Sequence, residues 1–121
     1  MHPARSWSVG AVGPSVETWV GARFTCINKK VGGQKGWRLP VIAELASLID
    51  PSVAAPGPTL PAGHPFTNVQ SLLYWSASTD TENATLAWLV YFFNGNVNSG
   101  SKAGSNPFVW CVRGGSNADA Y

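Results

Sequence analysis

GWRLPVIAEL, residues 36–45, places a Trp, an Arg and a Pro in front of a run of regularly spaced apolar residues. A proline inside a helix removes a donor and clashes with the preceding turn, but at the first helical position its fixed φ is an asset. Ile42, Leu45, Ala46, Leu48 and Ile49 then recur at helical spacing. Asp50-Pro51 closes the run, because a residue before proline is pushed out of the α region. The stretch predicts a short amphipathic helix of about ten residues with Pro40 at its first position and a bulky, rigid entrance.

Working towards the N-terminus, Gly32-Gly33 breaks the chain, and a first helix precedes it. Ser15 is its expected cap, with Glu17 in its first turn. Val16, Trp19, Val20, Phe24 and Ile27 mark its expected inner face, with Ala22 and Cys26 beside them. It should end near Asn28–Lys30, where cations oppose the helix dipole. Residues 1–14 read as an irregular segment with a short strand at Trp7–Val9.

Towards the C-terminus, residues 51–70 hold PSVAAPGPTLPAGHPF, too rich in proline for any regular element. Leu60 and Pro65-Phe66 are apolar enough to pin this loop to the core. From Leu72 onward the pattern is that of strands. Tyr74–Ser76 is a short one. Ala87–Phe93 is aromatic, β-branched and apolar on both faces, which predicts a central strand. Asn94-Gly95 is a hairpin signal, with Val97–Ser99 returning. Phe108–Arg113 reads as the last strand, stopped by Gly114-Gly115, and residues 116–121 as a tail. Two helices, a long loop and an antiparallel meander make an α+β domain, with the helices packed on a small twisted antiparallel sheet.

Composition narrows the function. The chain has 121 residues, enough for one domain, with 45% hydrophobic but only 12% charged residues. Six Trp, 13 Gly and 9 Pro point to a loop-rich fold with large aromatic anchors. The formal net charge is +2 and, Lys29, Lys30 and Lys35 apart, the cations are scattered, so no nucleic-acid stripe is present. No apolar run approaches the roughly 18 residues of a membrane span. MHPARSWSVGAVG, at the N-terminus, has no long apolar core and is not a signal peptide; either the protein is cytoplasmic or its export signal has been lost.

Catalysis and metal binding find little footing. Glu17, Glu44, Asp50, Asp80, Glu82 and Asp119 form no evident acid–base pair, though Asp80 and Glu82 share a loop. His2 and His64 are isolated, and His64, between Gly63 and Pro65, reads as a turn residue. No serine sits in a G-x-S-x-G elbow. Asp80, Glu82 and Asn83 supply too few oxygens for calcium and read as a solvated turn. Asn83-Ala84-Thr85 fits the glycosylation sequon, a weak pattern. No cofactor is expected. Cys26 and Cys111, 85 residues apart (111 − 26), are either a disulfide or two buried thiols. A bridge over such a loop is worth about 4 to 5 kcal/mol in the chain-entropy model.

What remains is a surface. Asn94, Asn96, Asn98, Ser99, Ser101, Lys102, Ser105 and Asn106 gather around the hairpin and the last loop, with Tyr91 and Trp110 as aromatic neighbours. Amides and hydroxyls adapt to many partners and aromatics give rigid contact area. The same residue types also dominate ordinary turns.

GWRLPVIAELASLID, YWSAST, AWLVYFFNGNVNSGSK and VWCVRGG, in this order, resemble the motifs WRLP-x-x-x-EL, YWSS, AW-x-V-x-F-x-x-G-x-V and RCVRG of the Lcl C-terminal domain family, also called DUF1566. The resemblance covers about residues 15–115, which it marks as the domain; residues 1–14 depart from the family's usual G-L-x-W strand. It implies a C-type-lectin-like fold related to that of the formylglycine-generating enzymes. It also implies a disulfide from the first helix to the last strand, Cys26 to Cys111, and with it an extracellular or cell-surface, bacterial setting. Cys111 lacks the nearby second cysteine that the oxidative chemistry of those enzymes needs, and the E-P-N, Q-P-D and W-N-D motifs of calcium-dependent sugar binding are missing. Trp37, Arg38, Leu39 and Pro40 look like a structural signature: Trp37 and Leu39 under the sheet, Arg38 holding Glu44 or backbone carbonyls. The alternative role for Arg38 is anion binding. The expected function is a non-catalytic module that binds a glycan or a protein surface through residues 94–110, and the alternative is a structural subunit of an oligomer or filament.

Overall fold

The computed structural model describes residues 6–7, 16–30, 33, 35–66, 69–104 and 107–114. The elements in chain order are β1 (Ser6–Trp7), α1 (Trp19–Ile27), β2 (Trp37–Arg38), α2 (Ile42–Ala46), β3 (Leu73–Thr79), β4 (Leu86–Tyr91), β5 (Asn96–Ser101) and β6 (Val112–Arg113). The domain is α+β, with two short helices and two antiparallel three-stranded sheets.

The larger sheet is the expected meander, in the order β3–β4–β5. β4 is central, and its apolar side chains are buried on both faces: Leu89 and Ala87 on one, Val90 on the other. β3 bulges between Trp75 and Thr79. There the Ser76 hydroxyl donates to Trp88 O at 2.7 Å and accepts from Ser78 N at 3.1 Å, so a side chain takes over bonds that the ladder gives up. The hairpin between β4 and β5 is a four-residue turn, Phe92–Gly95, closed by Gly95 N to Tyr91 O at 2.8 Å. Gly95 takes φ +81° with Ile49 packed against it, so a two-residue turn is replaced by one that lets the chain pass over the end of α2.

The second sheet corrects the expected last strand. Only Val112–Arg113 forms a strand, and it is central in the order β1–β6–β2. Phe108 N and O bond Leu73 O and Trp75 N, a bridge alongside β3, after which the chain crosses through the core to reach β1 and β2. Trp37-Arg38, expected at a helix entrance, is therefore a strand paired with Val112-Arg113. The first strand appears at Ser6–Trp7; Val9 lies outside the described residues.

Both helices begin later than expected. α1 is capped by Thr18, whose Oγ1 accepts from Gly21 N at 3.2 Å; Ser15 lies outside the described residues. Glu17 stands before the cap and accepts from the Thr25 hydroxyl at 2.6 Å. The inward face of α1 is Trp19, Ala22 and Cys26, while Val16, Val20, Phe24 and Ile27 are exposed. Two ties rotate the helix this way: the Trp19 indole donates to Ser76 O at 2.9 Å, and Cys26 bonds Cys111, with 5.5 Å between their Cα atoms. α2 starts at Ile42 after Val41 as cap, so Pro40 precedes the helix; its carbonyl accepts from Ala77 N at 2.7 Å. After Ala46 the bonds tighten to Leu48 N–Leu45 O and Ile49 N–Ala46 O, and the helix is five residues long where ten were expected.

Two aromatic cores flank the β3–β4–β5 sheet. One joins Trp19, Trp37, Leu39, Trp75, Leu89 and the disulfide under α1. The other centres on Trp110, with Tyr74, Phe92, Leu45 and Leu60 under α2. The proline-rich loop packs into this second core through two of its expected pins: Leu60 is buried, and the Phe66 ring meets Trp110 edge-on at 4.8 Å, while Pro65 is exposed. Gly57 lies so close to Phe92 O and Phe93 O that any Cβ would collide, which fastens the loop to the hairpin.

Candidate functional site

The WRLP corner is organised around one ion pair. The Arg38 guanidinium forms a two-pronged pair with the buried carboxylate of Glu44, Nη1 to Oε1 at 2.7 Å and Nη2 to Oε2 at 2.9 Å. Nη2 also donates to Gly114 O at 2.8 Å, just past β6. Glu44 Oε1 accepts from Val41 N at 3.0 Å as well, which holds the first turn of α2. One side chain thus links the second sheet, the start of α2 and the end of the last strand. Both expected partners of Arg38, the carboxylate and a backbone carbonyl, are present at once, and Trp37 and Leu39 are buried under the sheet.

The residues nominated for binding do not stay together. Trp110 is fully buried, with Trp7, Phe66, Tyr74 and Phe92 around it, and has no surface to offer. It was expected as an aromatic neighbour of the polar surface; the crossing of residues 109–111 between sheets puts the ring at the centre of the core instead. Lys102 is spent on the fold: its Nζ lies 4.1 Å from the Trp19 ring centroid and donates to Thr79 Oγ1 at 2.9 Å. Asn94 Oδ1 accepts from Asn96 N at 3.0 Å, and Ser101 Oγ from Ala103 N at 3.3 Å, both turn bonds. Ser105 and Asn106 lie outside the described residues. Asn96 and Asn98 are exposed, and no hydrogen bond engages either side chain among the described residues.

Asn96 is paired with Tyr91 and Asn98 with Leu89, so both amides rise from the face of the sheet that carries Tyr91 and Leu73. The Tyr91 ring stacks on Phe93, with centroids 5.4 Å apart and planes 17° apart, and Phe93 is 36% exposed. Next to Tyr91 opens an apolar groove of about 390 Å³ lined by Val16, Leu72, Leu73, Tyr91 and Phe108. Composition alone could not find this groove, because its walls come from four distant segments. β5 carries no charged residue, and Lys102, the nearest cation in sequence, is already engaged. The strand thus sets uncharged amides beside the aromatic pair.

Elsewhere, the remaining polar residues do turn work. Asp80 Oδ1 accepts from Glu82 N and Asn83 Oδ1 from both Thr85 N and Thr85 Oγ1, as in a solvated turn. His64 Nδ1 accepts from Phe66 N at 3.2 Å. Asp50 accepts from the Ser52 hydroxyl and backbone N–H, which lowers its pKa. Tyr74 is pushed up to about 12 by burial, against the opposing effect of Gln70 N donating to its oxygen at 2.8 Å. Among the described residues no His, Cys, Asp and Glu side chains cluster as a metal site would need, and no helix is long and apolar enough to cross a membrane.

The family model of the Lcl C-terminal domain matches residues 5–113, from the residue before β1 to the end of β6. No match was found among curated proteins.

Proposed function

We propose, from the premise that the chain belongs to the Lcl C-terminal domain family, that it is a non-catalytic, lectin-like binding module that recognises a neutral glycan. The observation that carries this reading is the stacked Tyr91–Phe93 pair beside the unengaged amides of Asn96 and Asn98. A sugar ring has an apolar C–H face and a rim of hydroxyls. The aromatic pair suits the first, and an amide, both donor and acceptor, suits the second. The absence of charge on β5 favours an uncharged ligand. The buried disulfide supports a protein working outside the cytoplasm, since such bridges persist in oxidising compartments.

The test is a panel of immobilised neutral glycans, probed with the wild type and with Tyr91→Ala and Asn96→Ala/Asn98→Ala. Saturable binding that weakens about tenfold or more in each variant, and holds from low to high salt, is expected. Binding that survives both variants, or capture of protein ligands alone, refutes it.

One observation favours a second reading, a subunit of a larger assembly: Val20, Phe24 and Ile27 form an exposed apolar stripe on α1. An oligomer that forms without ligand and disperses in Phe24→Glu is its signature in size analysis.

A further inference from the structure

A second cavity lies beside α1. It has a volume of about 340 Å³ and lies between Arg23 and Ile27 of α1, the β2 segment from Gly36 to Leu39, Val41, and Ala77 of β3. Its walls are mostly apolar: Ile27, Trp37, Leu39, Val41 and Ala77. Two polar features break that pattern. Trp37 is 6% exposed and its buried indole N–H has no acceptor among the described residues. A buried donor left unmade costs about 1 to 3 kcal/mol, which an acceptor supplied by a ligand would recover. Arg23, which also lines the cavity, is exposed, with its guanidinium carbon 4.9 Å from the Trp19 ring centroid, and no carboxylate pairs with it among the described residues. Arg38 also lines the cavity, but its charge is already answered by Glu44.

The surrounding chain is one-sided in charge. Between Glu17 and Glu44 it carries Arg23, Lys29, Lys30, Lys35 and Arg38 and not one carboxylate. All but one of the cavity's lining residues come from this stretch. Lys29 and Lys30, just past the end of α1, also offset the negative pole of that helix. An apolar cavity of small-molecule size, one exposed arginine in its lining and a spare buried donor describe one ligand chemistry.

We infer that this cavity binds a small amphipathic carboxylate, an organic acid with an unbranched or flat apolar body, whose charged end is held by Arg23 and whose apolar part lies along Ile27, Leu39 and Ala77. The site is separate from the Tyr91–Asn98 surface and does not depend on the glycan reading.

The experiment is a titration of ¹⁵N-labelled protein with sodium decanoate below its micellar concentration, read at the tryptophan indole N–H signals. The Trp37 signal moves downfield and saturates, while that of Trp110, in the opposite core, stays in place. 1-Decanol, with the same chain and no charge, binds at least about tenfold more weakly, as does decanoate to Arg23→Gln. Ile27→Glu, which places a carboxylate on an exposed wall position, abolishes binding. Both substituted positions are exposed, and unchanged Trp110 signals report that the fold is kept. Equal binding of 1-decanol, an unmoved Trp37 signal, undiminished affinity in Arg23→Gln, or binding to anionic vesicles without binding to free decanoate would each overturn the inference.

Discussion

The WRLP corner and the β4–β5 hairpin are built from similar materials, polar side chains beside large aromatics, yet they use them in opposite ways. At the corner, Arg38 and Glu44 spend their charges on each other, on Val41 N and on Gly114 O. At the hairpin, Asn96 and Asn98 spend their side chains on nothing among the described residues. Lys102 and Trp110 are close to the hairpin in sequence but belong with the corner in kind, since each is locked into the core. The contrast teaches that residue type does not separate structural from available polar groups. What separates them is whether the fold supplies a partner.

That contrast can be broken by substitution, beginning with the strongest tie. Replacing Cys26 and Cys111 by Ala should lower unfolding stability by about 4 to 5 kcal/mol, read as the urea midpoint and matched by reduction of the wild type. A midpoint that does not move would mean that packing alone holds α1 to the last strand. Arg38→Ala leaves the Glu44 carboxylate buried without its cation and should cost about 3 kcal/mol, with Arg38→Lys a poor substitute because it lacks the fork. If Arg38→Ala folds as well as the wild type but loses a ligand, the corner is a binding site and the comparison fails.

Alkaline titration tests the core under α2. Tyr74 titrates at about 12 in the folded protein and about 10 when unfolded. A raised pKa contributes stability in full below pH of about 10 and loses it as pH climbs towards about 12. Tyr74→Phe should flatten that alkaline fall, at a cost of about 1 kcal/mol at neutral pH for the lost bond from Gln70 N. The smallest effects sharpen the comparison most. Lys102→Met should cost about 1 kcal/mol and leave glycan binding intact. Asn96→Ala/Asn98→Ala should change stability by no more than about 0.5 kcal/mol and remove binding.

The sequence shows these divisions only where local physics decides them. The central strand was legible because apolar residues on both faces admit one explanation, though it runs over Leu86–Tyr91 and leaves Phe92 and Phe93, expected within it, to the turn. The corner was legible as an Arg with a carboxylate six residues on, though not as a strand, since a two-residue pairing leaves no periodicity to read. The inner face of α1 was misread for a definite reason. Val20, Phe24 and Ile27 are the larger apolar residues, but the disulfide and the Trp19–Ser76 bond turn the smaller Ala22 and Cys26 inward. At the candidate surface, Asn96, Asn98 and Tyr91 were found by composition. Phe108 and Val16 were not, because only the folded chain brings them to Leu72.

The bridge between Cys26 and Cys111 makes a covalent ring of the chain between them. That ring contains the proline-rich loop, both hairpin strands and α2. One peptide bond cut anywhere within it adds a water and releases no fragment. Protease attack on the loop at residues 51–66 would therefore yield a nicked molecule of nearly unchanged mass, and the pieces part only when cleavage and reduction coincide.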